Sequence, residues 1–320
     1  MSDEFMSAQP STIVAVIGAG SIGVAFSLQF AIAGHRVRLH DANNEQIQTV
    51  LRRIKTSFYD LESFGLTDTT IDNVLSRVYL ATDIADAVAG SSHIQECVPE
   101  DIELKRKIFE QLDALAPAGV TLASSSSAIM TSEFAADLPG AERCLVAHPG
   151  NPPFLLRVVE VVPAPFTAEK TVDQVCQLIR SADLKPVMVR REIRGFVFNR
   201  LQGAMLREAY CLVRDGIAGV DEIDRIVRDG LGLRWAAVGP FEAADLNQRG
   251  GIRRHAEIMG PAYAEMGADR GQNDPWTPDL VQQVEAERRT LLPLDQWEDR
   301  VRWRDRRMMA ILATRRSRSA

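Results

Sequence analysis

The sequence predicts an α/β fold, in which a doubly wound parallel sheet is followed by an all-helical C-terminal domain. Three observations predict it. Short apolar runs alternate with helical patterns up to about residue 190, which is typical of a parallel sheet with helices on both faces. A glycine-rich turn, "GAGSIG", joins the first apolar run to the first helical pattern. After about residue 194 the strand patterns stop, and only helical periods continue.

The predicted strands are short apolar runs, and longer helical patterns separate the early ones. We predict strands at 12–18, 36–41, 77–82, 92–98, 119–124, 144–148, 156–162 and 185–190. We predict helices at 21–33, 44–61 and 101–115. This alternation of strand and helix forms the units from which a doubly wound sheet is built.

The second half of the chain carries helical patterns only. Phe196, Leu201 and Met205 recur near a helical period in a stretch that ends at a glycine, and Pro240 suits the first position of a later helix. The polar stretch "RREIRG" precedes the first of these helices and is the expected junction. These observations predict a disordered leader at 1–10, a sheet domain at 11–193 and a helical domain at 194–320.

Charge, hydropathy and cysteine usage disfavour several classes of function. The chain has 320 residues and a net charge of -6, which argues against nucleic acid as a partner. No apolar run reaches the ~18 residues that span a bilayer, so no membrane partner is expected. The four cysteines form no CxxC pair and lie in apolar runs, which indicates free thiols in a reducing cytoplasm.

The glycine-rich turn has the features of a dinucleotide-binding loop. Gly18 permits the tight turn, Gly20 lets the backbone approach a pyrophosphate, and Gly23 lets the helix pack close to the strand. Ser21 and Ile22 open the helix, whose first-turn N–H groups and positive dipole end favour phosphate. A plain glycine turn, or a site for another nucleotide such as S-adenosylmethionine, is the alternative. Because the strand and the helix are both in place, residues 11–193 are predicted to be a Rossmann-type domain.

Asp41 ends the second predicted strand and indicates which dinucleotide is bound. It follows Gly23 by 18 residues, close to the spacing at which a carboxylate meets the adenosine ribose. A carboxylate accepts hydrogen bonds from both ribose hydroxyls and repels a 2′-phosphate. No arginine follows Asp41 directly. The expected cofactor is therefore NAD rather than NADP.

The stretch "VAHPGNPPFLLRVVEVVP" contains the strongest candidates for catalysis. His148 ends one predicted strand, and Glu160 lies 12 residues later in the next apolar run. A buried carboxylate is costly without a partner, and a chain that turns at the prolines could bring the two side chains together. Such a pair fixes the imidazole tautomer and raises its basicity, which suits a general base.

The residues alone leave alternatives open. His148 could equally be a structural histidine at a turn. The serines of "ASSSSAI", at 123–129, place hydroxyls at the end of another strand on the same edge of the sheet, but they could also form a polar loop. Asn199 lies early in the first helix after the junction, where it could close the site or simply begin the helix.

Several motifs in order give the chain a family resemblance over nearly its whole length. They are "GAGSIG", "HIQECVPEDIELKRKIF", "SSSS", "VAHPGNPP", "VEVVP", "GFVFNRLQ", "DGLGLRWAAVGPFE" and "WRD". With these motifs the chain resembles the 3-hydroxyacyl-CoA dehydrogenase family. It is most similar to the branch that contains lambda-crystallin and L-gulonate 3-dehydrogenase.

The resemblance implies roles for the residues of the motifs. His148 is expected to be the general base and Glu160 its orienting partner. Ser127, matched by its distance from the histidine, and Asn199 are expected to hydrogen-bond the reacting oxygen. Asn151 is expected to line the substrate site.

The resemblance further implies cofactor contacts, a partner and a substrate class. Glu100 and Lys105 are expected to contact the nicotinamide side of NAD, and the helical domain is expected to bind substrate and form a homodimer. The expected reaction is oxidation of a small L-3-hydroxy acid of the gulonate type. The alternatives are a short-chain 3-hydroxyacyl-CoA substrate, such as 3-hydroxybutyryl-CoA, and a non-catalytic structural or NAD-binding role.

Overall fold

A computed structural model describes residues 12–249, 251–270 and 277–316. Its centre is one eight-stranded sheet with the strand order β3-β2-β1-β4-β5-β6-β7-β8. The strands are β1 (Ile13–Ile17), β2 (Arg36–His40), β3 (Val78–Leu80), β4 (His93–Glu96), β5 (Thr121–Ser124), β6 (Cys144–Pro149), β7 (Val158–Pro163) and β8 (Lys185–Met188). Each lies within or overlaps a predicted strand, so the predicted fold class is confirmed.

The helices cover both faces of the sheet and then continue alone. They are α1 (Ser21–Ile32), α2 (Asn44–Ser63), α3 (Ile71–Ser76), α4 (Ile84–Val88), α5 (Ile102–Leu115), α6 (Thr131–Phe134), α7 (Glu169–Ser181), α8 (Phe198–Arg214), α9 (Val220–Ile226), α10 (Gly232–Ala237), α11 (Pro240–Leu246), α12 (Gly251–Ala268), α13 (Pro278–Leu291) and α14 (Trp297–Arg316). In the described part of the chain no strand follows β8.

The strand order reverses between β1 and β4, because the chain first runs outward through β2 and β3 and then returns to the other side of β1. Ligands of open α/β sheets bind at the carboxyl ends of the strands beside such a reversal. One pair departs from the expected parallel arrangement: β6 and β7 are antiparallel. The connection between them is too short for the crossover that a parallel pair requires.

The core consists of two layers, one on each face of the sheet. Along β1, Val14 and Val16 belong to one apolar cluster, whereas Ala15 and Ile17 belong to the other. This alternation is the two-residue period of a strand that is buried on both faces. The helices therefore hold the carboxyl ends of the strands at one fixed edge, where the candidate site lies.

The chain divides into two compact units. The first runs to Arg200 and resumes at Arg302, and the second is Leu201–Val301. The prediction had placed all of 194–320 in the helical domain. The last segment groups with the first unit because Met309 is buried in the sheet's apolar core and Arg306 binds Asp60. The predicted leader at 1–10 lies outside the described residues, and no described helix is long and apolar enough to cross a membrane.

Candidate active site

The glycine loop joins β1 to α1 in the geometry that its sequence predicts. Gly18 has a φ of 110°, and a Cβ there would lie 2.5 Å from the Cys97 carbonyl oxygen. A Cβ on Gly23 would lie 1.8 Å from the Gly18 carbonyl oxygen, so both positions require glycine. A Cβ on Gly20 would meet nothing within 4 Å, so the space beside this residue is open to a ligand.

The N-terminus of α1 and the Asp41 carboxylate complete a cradle that fits a dinucleotide. Gly20 caps the helix without a side chain, and no acidic residue lies in the first turn, where Ser21 and Ile22 follow. The N–H groups and positive dipole end of this turn therefore remain available to a pyrophosphate. Asp41 follows β2 and accepts hydrogen bonds from the Ala19 N–H at 2.6 Å and from the Asn43 N–H at 2.7 Å.

His148 and Glu160 form a buried pair across the antiparallel strands. They are register partners in β6 and β7, and His148 Nδ1 lies 2.8 Å from Glu160 Oε2. The other carboxylate oxygen accepts hydrogen bonds from the Val197 and Phe198 N–H groups at 2.8 and 3.0 Å. Burial pushes the pKa of Glu160 up, but the hydrogen bonds from His148, Phe198 and Val197 outweigh it and hold the pKa below its ordinary value.

An ionised Glu160 determines the tautomer of the histidine. Because the carboxylate only accepts hydrogen bonds, Nδ1 of His148 carries the proton and Nε2 has the free lone pair. The aromatic rings of Phe196 and Phe198 lie 5.7 and 6.2 Å from the imidazole and restrict its orientation. This arrangement can accept a proton at Nε2 and stabilise the resulting imidazolium.

Glu100 organises the serine loop that follows β5. Its Oε1 accepts hydrogen bonds from the Ser126 hydroxyl at 2.7 Å and from the N–H groups of Ala128 at 2.9 Å and Ser127 at 3.1 Å. Partial burial pushes the pKa of Glu100 up, but the bonds from Ser126 and Ala128 outweigh it and lower the pKa. Asn199 donates from Nδ2 to the Ser127 carbonyl oxygen at 2.8 Å, so two predicted site residues are in direct contact.

Lys105 is buried behind this loop rather than exposed to a ligand. Its side chain is 1% exposed, and Nζ lies 3.0 Å from both carboxylate oxygens of Glu96 and 3.7 Å from Glu100. The Ser124 hydroxyl donates to Glu96 at 2.5 Å. Burial raises the pKa of Glu96, although Lys105 and Ser124 act in the opposite direction. Sequence reasoning missed Glu96, and the only signal was a carboxylate inside the apolar run "HIQECV".

A second series of hydrogen-bonded polar side chains runs along β4 toward the carboxyl ends of the strands. The sequence patterns did not predict it. His93 Nδ1 lies 2.7 Å from the Thr121 hydroxyl, and its Nε2 lies 3.2 Å from Gln95 Oε1. Gln95 Nε2 donates to the Ser125 hydroxyl at 2.8 Å, which in turn lies 3.2 Å from Cys97 Sγ. These hydrogen bonds link the end of β4, the strand that pairs with β1, to the serine loop after β5.

The loop after His148 is shaped by Gly150 and Leu156. A Cβ on Gly150 would lie 2.6 Å from Leu156 Cβ, so a bulkier residue would displace that leucine. Asn151 is exposed in this loop, and its side chain makes no hydrogen bond within the described part of the chain. Arg157, at the end of the loop, is ion-paired with Asp183. The expected substrate contact of Asn151 therefore stays a prediction.

A dinucleotide cradle and a histidine–carboxylate pair at the carboxyl ends of one doubly wound sheet define an NAD-dependent dehydrogenase. Family models agree with this class. A model of the 3-hydroxyacyl-CoA dehydrogenase NAD-binding domain matches residues 13–193, and a model of that family's C-terminal domain matches residues 195–293. The chain belongs to the 3-hydroxyacyl-CoA dehydrogenase family, whose members use NAD to oxidise CH–OH groups.

Individual relatives extend along most of the chain. A lambda-crystallin homolog from Bos taurus is 41% identical over 267 residues, which cover 80% of this chain and 83% of that protein. An L-carnitine dehydrogenase from Oceanobacillus iheyensis is 36% identical over 250 residues, or 78% of this chain and 80% of that protein. A solved structure, an NAD+-dependent dismutase described as 5-formyl-3-hydroxy-2-methylpyridine 4-carboxylic acid 5-dehydrogenase, has a TM-score of 0.81 at 27% identity and covers 94% of this chain and 97% of that chain.

Proposed function

We propose that this protein oxidises the 3-hydroxy group of a small L-3-hydroxy acid, of the gulonate type, to the 3-keto acid. The observation that carries the proposal is the 2.8 Å contact between His148 Nδ1 and Glu160 Oε2. It leaves Nε2 as a free base beside the edge of the sheet to which the dinucleotide cradle also belongs. A general base and a hydride acceptor at one edge are the two requirements for oxidising an alcohol.

In the proposed mechanism, His148 removes the hydroxyl proton through Nε2. Bound NAD supplies the acceptor for the hydride that leaves the carbinol carbon. Glu160 stabilises the imidazolium, because its ionised carboxylate is held by the peptide N–H groups of Val197 and Phe198. Ser127 and Asn199 hydrogen-bond the reacting oxygen and orient the alcohol, which supplies much of the rate through positioning.

The proposed substrate class rests on relatives and on the loop after His148. Relatives that are 36% and 41% identical are lambda-crystallin homologs, whose branch the sequence resembles. Gly150 and the adjoining prolines favour a small polar substrate over an acyl-CoA thioester.

One assay separates the candidate substrates. NAD reduction is followed with L-gulonate, L-3-hydroxybutyrate, carnitine and 3-hydroxybutyryl-CoA side by side. We expect the highest kcat/KM with L-gulonate. The family's name favours 3-hydroxybutyryl-CoA, an acyl-CoA thioester, as the second candidate substrate. A higher kcat/KM with this thioester than with L-gulonate would overturn the proposed substrate class. Failure of all four together with tight NADH binding would favour a non-catalytic, crystallin-like role.

We also propose a homodimer and a cytoplasmic location. The helical unit exposes large apolar side chains, among them Phe241 at 82%, Leu233 at 69% and Leu246 at 69%, and exposed apolar area of this kind is usually covered by a partner. We expect a dimer in light scattering, and a monomer would contradict it. The four free cysteines support a reducing compartment.

A further inference from the structure

Arg53, in α2, contacts the glycine loop, although it lies outside the "GAGSIG" motif. Nη1 of Arg53 donates to the Ala19 carbonyl oxygen at 2.7 Å and to Gln46 Oε1 at 3.1 Å. The side chain is half-buried, and burial lowers the pKa of Arg53. A guanidinium that is partly removed from water needs charge-assisted hydrogen bonds, so the contact with the loop is part of what holds the cation here.

Ala19 is held through both of its polar backbone groups by opposite charges. Its N–H donates to Asp41 Oδ2 at 2.6 Å, and its carbonyl oxygen accepts from Arg53. The residues on either side, Gly18 and Gly20, have no side chain that could restrain the backbone, and glycine has more conformational freedom than any other residue. The two hydrogen bonds to Ala19 therefore restrain a loop that its glycines leave free.

We propose that Arg53 is a positioning residue for NAD: with Asp41 it fixes Ala19, so that the backbone at Gly20 and the first turn of α1 is ordered before the pyrophosphate binds. Fixing the loop in advance reduces the entropy that binding must overcome. The positive charge of Arg53 also lies close to the expected position of two phosphates and attracts them. The proposal concerns the cofactor and does not depend on which alcohol is oxidised.

The helical period places Arg53 where it can act on the loop. Gln46 and Arg53 are seven residues apart, which is two turns of α2, so both lie on one side of the helix. Val50 lies between these two residues in the sequence, and Ile54 follows Arg53. Both are buried in the core and fix the rotation of the helix about its axis. Arg52 precedes Arg53 but is exposed and has no ion pair among the described residues. It is a matched control of equal charge.

The test is a calorimetric titration of the purified full chain with NADH and with ADP-ribose. Loss of a charge-assisted hydrogen bond is worth roughly 1.4 kcal/mol or more, so Arg53→Ala should bind both ligands about tenfold more weakly. Arg52→Ala should match the wild type. Arg53→Lys, which keeps the charge but not the planar guanidinium, should recover part of the affinity. Hydrogen exchange without ligand should be faster at the Ala19 and Gly20 amides in Arg53→Ala.

Three outcomes would overturn the proposal. The first is an Arg53→Ala variant that binds NADH as Arg52→Ala does. The second is weaker binding of NADH with unchanged binding of ADP-ribose, since this would place the effect at the nicotinamide and not at the pyrophosphate. The third is unchanged amide exchange in the loop. If Arg53→Ala does not fold, Arg53→Lys and Arg53→Gln take its place, and wild-type affinity in both would also overturn the proposal.

Discussion

His148 and Glu160 are directly opposite each other in the antiparallel β6–β7 pair, with Nδ1 2.8 Å from Oε2. The strand register therefore sets the geometry of the pair. A slip of one residue would turn Glu160 to the other face of the sheet and separate the two groups. The short loop between the strands fixes the register, and Gly150 lets the loop pack against Leu156. His148 and Glu160, the proposed base and its proposed orienting carboxylate, therefore both lie on strands of the sheet.

Replacing His148 by glutamine should abolish turnover while NADH binding is retained. Glutamine fills similar space but has no basic nitrogen, so the proton of the alcohol has no acceptor. General base catalysis contributes roughly 10²- to 10⁴-fold, and kcat should fall by at least this factor. Steady-state kinetics and NADH titration measure the two quantities separately. A kcat within a factor of ten of the wild type would show that His148 is not the base.

Replacing Glu160 by glutamine should lower kcat by roughly 10²-fold or more, because the imidazolium loses its counter-charge and Nδ1 its acceptor. The pKa of Glu160 lies below its unfolded value of 4.5, so its carboxylate stabilises the fold above pH 4.5, and this contribution is lost as the pH falls through the lowered pKa. Urea unfolding of the wild type and of Glu160→Gln between pH 3 and 7 measures the difference in their free energies of unfolding. This difference should become smaller as the pH falls. A constant difference would contradict the assignment.

Replacing Lys105 by methionine should destabilise the fold, because Glu96 would keep a buried carboxylate without its cation. Breaking a buried ion pair in this way costs roughly 3–5 kcal/mol, whereas removing both charges costs much less. The double variant Lys105→Met/Glu96→Gln should therefore recover most of the lost free energy of unfolding. Lys107→Met, at an exposed position of the same helix, is the control. A double variant as unstable as the single one would show that the pair is not the source of the loss.

The sequence was sufficient to predict the strands and the pair at the centre of the site, because both follow from local patterns. Apolar runs between glycine and polar turns predicted β1 and its neighbours, and the cost of a buried charge predicted a partner for Glu160. The antiparallel β6–β7 pair was not predicted, since apolar runs carry no information on strand direction.

Long-range contacts were the part that sequence reasoning could not supply. Glu96 and Gln95 lie in a predicted strand. Their partners are Lys105, which lies in a helix, and Ser125, which lies in the loop after another strand, and no period in the sequence joins them. For the same reason, the sequence did not predict the hydrogen bond between Arg53 and Ala19, which are 34 residues apart. Such contacts exist only once the sheet and its helices are packed.

Because His93 is buried between Thr121 and Gln95, stability should depend on pH between about 4 and 6.5. Burial lowers the pKa of His93 to about 4. The hydrogen bond with Gln95 raises the pKa, and the charge of His35 lowers it further. In the unfolded chain His93 binds a proton below its ordinary pKa of 6.5, whereas in the folded chain it does so only below about 4. Stability should therefore rise with pH across this window, by roughly 3 kcal/mol in total.

His93→Asn should remove this rise, because asparagine does not titrate, while His255→Asn, at a half-exposed histidine of the helical unit, should retain it. Urea unfolding at pH 4.5 and 7.5 measures the difference. Nitrogen-15 spectra should show a neutral His93 at pH 5.5 that is protonated on Nε2, because Gln95 Oε1 can only accept a hydrogen bond and Nδ1 then accepts from Thr121. A charged imidazole at that pH, or the Nδ1-protonated tautomer, would show that the hydrogen-bond chain runs differently.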